Sequence, residues 1–186
     1  MKTDNLRNYL NSFANEVVKE SREFLSRSKD SQGKSRGSTA LGNSIRSTVT
    51  ADPNGFSVKF YMEDYGTFLD KGVKGAESNY IQNKDTDYSY TTKQPPTSII
   101  EKWIKKKGIR GRVNKDWKSA GNRGGQFIKD KSLAFLIARS IKAKGIKSVS
   151  FFTTPFSIKY KELQENFLKQ FSKDVTTYIT TFTKHK

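Results

Sequence analysis

The sequence predicts an α+β fold: a small antiparallel sheet packed by long N- and C-terminal amphipathic helices and two shorter helices, with long loops. Three patterns predict it. Phe56, Val58, Phe60 and Met62 alternate with Ser57, Lys59, Tyr61 and Glu63, the period of a strand with one packed face. Stretches near both ends of the chain carry apolar residues three and four apart, the period of a helix. Between them lie polar, glycine-containing stretches without either period. Residues 1–186 read as a single α+β domain, with 28–39 a flexible link and 73–94 and 109–130 extended loops.

Each element has a local reason. Leu6, Leu10, Phe13, Val17 and Phe24, widened by Tyr9, Val18 and Leu25, predict a helix from about Asp4 to Arg27, with Asp4 as its cap. A short helical stretch around Leu41–Ile45 and a strand over Arg46–Thr50 follow. Asp52-Pro53-Asn54-Gly55 is a turn sequence, so this strand and the Phe56 strand form a hairpin. The spacing then changes. Tyr65, Phe68 and Leu69 share one face of a short helix that Gly72 stops. This strand-to-helix stretch organises the fold, with Tyr65, Gly66, Phe68, Leu69, Gly72 and Trp103 as the fold-organising residues.

Thr97 or Ser98 is expected to cap a helix through Lys107, closed by Gly108, with Ile99, Ile100, Trp103 and Ile104 on its apolar face. Leu133 to Lys144 is the next helix, so apolar that it is expected at the centre of the core; Gly145 ends it. Val149–Phe152 reads as a short β-like piece broken by Pro155. Tyr160, Leu163, Phe167, Phe171, Tyr178 and Phe182 trace the last helix, although the β-branched run at 175–183 leaves a strand open there. Phe60, Phe68, Trp103, Leu136 and Ile141 are expected to be buried together.

Composition narrows function. The 186 residues contain no cysteine and one histidine, His185, so thiolate chemistry, disulfides and a Ser-His or Cys-His dyad from fixed positions are not expected. Glu63, Asp64 and Asp70 bear no motif that marks a carboxylate metal site. Asn83, Asp85, Asp87 and Ser89 imitate the opening of a calcium loop, but Tyr88 and Gln94 stand where its glycine and glutamate belong. Gly121, Gly124 and Gly125 lack the Gly-Lys-Ser/Thr ending of a phosphate loop. The chain reads as a non-enzyme without cofactor or metal. MKTDNLRNYL lacks the apolar stretch of a signal peptide and no run is long enough to span a membrane, so a soluble, non-secreted protein without a membrane partner is expected.

Charge is unevenly placed. The net charge is +17, and residues 102–147 alone carry 15 basic and 2 acidic side chains. Such a field attracts phosphates or an acidic protein surface. Arg110, Arg112, Lys115, Trp117, Lys118 and Arg123 are the interaction residues this segment offers, with Trp103 and Trp117 available to stack on bases.

The ordered series carries a family resemblance. An N-terminal amphipathic helix and a hairpin precede Tyr65-Gly66-Thr67-Phe68-Leu69-Asp70-Lys71-Gly72. Then come Pro95-Pro96, Trp103-Ile104, Lys107-Gly108-Ile109, Ala138-Arg139-Ser140-Ile141, Gly145, Phe151-Phe152 and a closing helix. This resembles the neck proteins of tailed bacteriophages, variously called tail-completion, head–tail joining or minor tail proteins; the loops at 73–94 and 109–130 are longer than the pattern. The resemblance spans most of residues 38–175. It implies a structural virion protein, made in the host cytoplasm, that forms part of a ring at the neck. Copies of itself, portal or connector proteins and tail-tube proteins would then be its partners, with DNA phosphates a further contact of the basic segment. The alternative reading of the residues is a non-enzymatic nucleic-acid-binding protein using 102–147.

Overall fold

A computed structural model describes residues 4–29, 33, 35–37, 39–52, 55–83, 86–116 and 118–184, without the side chains of 118–120, 182 and 184. The described residues form an α+β fold with two small antiparallel sheets of two strands each, in place of the one small sheet expected. The contacts gather into two compact units, residues 1–70 with 149–186 and residues 71–148.

The first unit is built on two long helices. Helix α1 spans Asp4–Arg27 and buries Leu6, Leu10, Phe13, Ala14, Val17, Val18, Ser21 and Leu25. Phe24, expected in this stripe, points outward, and Ser21 and Leu25 take its place at the three- and four-residue spacing. A short helix α2 (Ala40–Ser44) leads into the hairpin of β1 (Arg46–Asp52) and β2 (Gly55–Tyr61), in which Val49 pairs with Val58 and Ser47 with Phe60. Lys59 and Tyr61 are exposed, while Phe56, Val58 and Phe60 are half-buried, as the alternation requires. Residues 28–29 and 35–37, within the stretch read as a link, are tied back: Arg36 donates its N–H to Ser28 O and Ser35 Oγ donates to Ser26 O.

Helix α3 covers Tyr65–Lys71, and α6 runs from Thr153 to Lys184, so the β-branched run at 175–183 is helical. Thr176, Thr177, Thr180, Thr181 and Thr183 each return their hydroxyl to a carbonyl four residues back, so these hydroxyls are satisfied within the helix. The expected β-like piece at 149–152 is instead the entry to this helix. Pro155 is buried in its first turn, where a missing N–H costs nothing.

Helices α1 and α6 lie antiparallel, as three contacts along their length show. Leu6 and Asn5 meet Asp174, Tyr9 Oη donates to Glu162 O, and Phe13 meets Phe156 edge-on at 6.3 Å. An aromatic row of Phe13, Phe60, Phe152, Phe156 and Tyr160, with neighbouring centroids 5.3–6.3 Å apart, joins the hairpin to both helices. Beyond it, Val18, Leu25, Leu41, Ile45 and Phe151 are buried together. Lys159 reaches Glu16 at 3.0 Å and Glu20 at 3.3 Å on α1 and Glu162 at 3.2 Å on its own helix. The hydrogen bonds to Glu16 and Glu162 raise its pKa well above the usual lysine value.

The first turn of α1 has backbone N–H groups that need acceptors. Asp4 lies inside that turn and is not the cap. The acceptor is Asp174 of α6: its carboxylate takes the N–H of Asn5 at 3.1 Å and of Leu6 at 2.9 Å, and the Asn5 side-chain amide at 2.9 Å.

The second unit has a different core. Helix α4 (Thr97–Lys107) packs on α5 (Asp130–Lys144) through Ile100, Ile104, Ala134 and Ala138, with Ile109, Leu133, Ile137 and Ile141 around them. Beside them, β3 (Val73–Lys74) pairs with β4 (Gly145–Ile146). Gly108 closes α4 at φ 64° and Gly145 closes α5, as expected, but neither Thr97 nor Ser98 caps α4, whose preceding residue is Pro96. The long stretch after β3 is partly ordered by it: Lys74 takes the N–H of Tyr90 and donates its own to Tyr88 O.

The single core expected for Phe60, Phe68, Trp103, Leu136 and Ile141 does not form. Phe60 packs in the first unit and Ile141 in the second, while Phe68, Trp103 and Leu136 are 42%, 41% and 50% exposed. On α5 the buried stripe is Ala134 and Ala138, whose small side chains admit α4. Leu136 lies about 200° round the helix from Ala134.

Two stability predictions follow from this placement. Ile104→Ala should destabilise by about 2–5 kcal/mol, whereas Leu136→Ala should cost less than about 1 kcal/mol, both read by urea unfolding. Asp174→Ala should cost about 1 kcal/mol at neutral pH. Burial pushes the Asp174 carboxyl up, but the hydrogen bonds from Leu6 and Asn5 outweigh it and hold its pKa below the usual 3.8. A depressed folded-state pKa means that the contribution is present above the unfolded value and disappears as pH falls through the folded one. Wild type and Asp174→Ala should therefore differ at pH 7 and converge in melts taken below that range.

Candidate interaction site

The segment Tyr65–Gly72 places three residues with little freedom. At Gly66 a Cβ would come within 2.7 Å of Met62 Sδ and 2.8 Å of Leu41 Cδ1. Leu69 O and Asp70 O accept the N–H groups of Val149 and Ser150 at 2.9 and 3.0 Å. The buried Asp70 carboxylate accepts the N–H of Phe152 at 2.7 Å, the N–H of Thr153 at 3.2 Å and the Thr153 hydroxyl. It thereby caps α6. Leu69 packs against the first unit's core, and Tyr65 and Phe68 are 49% and 42% exposed. Glu63 and Asp64 are exposed beside it. Among the described residues, no three His, Asp or Glu side chains are grouped to hold a metal.

In the second unit Gly72 has φ 75°, and a Cβ there would collide with the side chain of Asn83 and with Ile146 O. Asn83 is fully buried. Its amide donates to Val73 O at 3.0 Å and Ile146 O at 2.7 Å, and its oxygen accepts the N–H of Ser148 at 2.8 Å. These bonds turn it inward, away from the ligand role that its resemblance to a calcium loop suggests; Asp85 lies outside the described residues. Thr86 completes the knot by donating to Gly72 O at 2.9 Å.

The basic segment is more ordered than a loop. Ile128 N donates to Gly111 O, Val113 N to Gln126 O and Gly125 N to Val113 O, at 2.8–2.9 Å. Residues 111–113 and 125–128 thus form a two-stranded antiparallel ribbon, with Arg112 opposite Phe127. The guanidinium of Arg112 lies 4.1 Å from the centroid of the Phe127 ring and that of Arg110 5.8 Å from it. Phe127 is itself 55% exposed. Lys115 and Arg123, at the ribbon's tip, are exposed, as are Arg110 and Arg112. Trp117 and the side chain of Lys118 lie outside the described residues. Trp103, on α4, is not part of the ribbon.

The structure thus brings Arg110 and Arg112 together on one ring and puts Lys115 and Arg123 at the tip beyond them. Two residues that the sequence reading did not single out, Asp174 and Phe127, are central, and Asn83 is central in a role other than the one its sequence context suggested. Asp174 had a signal: a carboxylate in the apolar register of α6, between Phe171 and Tyr178. Phe127 had a weaker one, as the large aromatic of a glycine-rich basic stretch. Nothing in the sequence pointed to the role Asn83 has, because it depends on Ile146 O and the Ser148 N–H, more than sixty residues away.

Asn83→Ala should leave Val73 O, Ile146 O and the Ser148 N–H without their partner and destabilise the second unit by about 1–3 kcal/mol. Urea unfolding checks the loss, with amide exchange at Val73 and Ser148 locating it. Compared with protein families, with curated proteins and with solved structures, the chain finds no match in any of the three.

Proposed function

We propose that the protein is a structural subunit of the neck of a tailed bacteriophage, present in several copies in a ring between portal or connector and tail. The ordered motif series in the sequence suggests the family. The observation that carries the ring is the apolar surface left exposed on α6. Phe167, Leu168, Phe171 and Ile179 are 37%, 72%, 41% and 54% exposed, along a helix that continues ten residues past Asp174. Helix α1 covers only one flank of this stripe. A further copy of the chain is the occupant proposed for the rest, since a repeated head-to-tail contact that closes makes a ring. The Asp70 carboxylate already accepts from Phe152 and Thr153, which favours a structural over a catalytic role for the motif. Among the described residues no helix is long and apolar enough to cross a membrane, and the virion is the proposed location.

The double variant Leu168→Glu, Ile179→Glu tests this. Its two sites are exposed, so the isolated chain should melt within about 0.5 kcal/mol of wild type. Particles made with it should lack the ring or fail to join heads to tails. Normal particles, or electron images showing a single copy in the native assembly, would refute the reading.

A further inference from the structure

We propose that the ribbon of residues 111–113 and 125–128 is a duplex-DNA-binding element, reading phosphates rather than sequence, with Phe127 as the platform that sets the guanidinium groups of Arg110 and Arg112. The inference stands apart from the ring and needs only the second unit. Residues 71–148 hold 19 of the chain's 35 basic side chains and 6 of its 18 acidic ones. Within 102–147 the only carboxylates are Asp116 and Asp130.

The shape of the ribbon favours duplex DNA over an acidic protein. A two-stranded antiparallel ribbon fits the major groove, which is about 12 Å wide. Guanidinium groups bind phosphate through paired N–H donors, and holding their planes on an aromatic face reduces the freedom lost on binding. Arg110 and Arg112 share one ring in that way. Exposed Lys115 and Arg123 extend the positive strip to the tip. Gly124 and Gly125 let Lys115 lie close against the returning strand: a Cβ at Gly124 would come within 3.3 Å of Lys115 Cα and one at Gly125 within 2.9 Å of its Cε.

The test titrates the full-length protein into a labelled 20-base-pair duplex, into one strand of it and into polyglutamate, across a range of salt. The variant R110Q/R112Q/K115Q/R123Q removes four cations. It should bind the duplex at least tenfold more weakly at low salt, with the slope of log affinity against log salt reduced by about 3–4. A control, R7Q/K19Q/K161Q/K169Q, removes the same charge from exposed sites of the first unit and should bind within about twofold of wild type. Phe127→Ala keeps every charge and should weaken binding about threefold through the loosened arginines; it also serves if the quadruple variant fails to fold. Equal losses in ribbon and control variants would overturn the proposal in favour of diffuse charge. So would wild type binding polyglutamate or the single strand as tightly as the duplex, failure of wild type to bind the duplex, or unchanged binding by Phe127→Ala.

Discussion

The buried carboxylate of Asp70 is the contact on which the first unit depends. A helix as long as α6 begins with several backbone N–H groups that nothing inside it can satisfy. Asp70 supplies the acceptors and also sets a negative charge against the positive end of the helix. Because Asp70 belongs to the short helix after the hairpin, the start of α6 is fixed relative to β2. Asp174 performs the same service for α1 from the far part of α6. The two long helices are therefore each capped by a side chain distant in sequence: Asp70 ties the start of α6 to α3, and Asp174 sets the register of α1 on α6. Between those ends the aromatic row and the Lys159 cluster bind a register already chosen.

The same few residues explain why the motif is so tightly constrained in sequence. Gly66 is required by the closeness of Met62 and Leu41, and Gly72 by its backbone conformation and by Asn83. The two proposed contact surfaces lie elsewhere: the apolar surface left exposed on α6 in the first unit and the cationic ribbon in the second.

Much of the framework was legible in the sequence. The span of α1, the hairpin around Asp52–Gly55 and the glycine stops at 72, 108 and 145 follow from apolar spacing and turn chemistry. Periodicity was less informative on α5, where every position from 133 to 138 is apolar and the burial of Ala134 over Leu136 depends on how closely α4 approaches. The run at 175–183 was ambiguous because threonine suits a strand unless its hydroxyl is returned to the helix backbone. At the candidate site, the cations were visible as charge, but their arrangement on Phe127 was not, since it comes from strand pairing within a stretch that lacks alternation. Caps supplied from a distance leave the least trace: Asp70 and Asp174 resemble any other carboxylate until the partner helix is in place.

Amide hydrogen exchange on Asp70→Ala tests the central structural claim most directly. Loss of the carboxylate should speed exchange at Phe152 and Thr153 at least tenfold, which corresponds to about 1.4 kcal/mol, and at Val149 and Ser150 as the joint loosens. Exchange at Ile100 and Ile104 in the second unit should be unchanged. Wild-type protection at Phe152 and Thr153 in the variant would contradict the account.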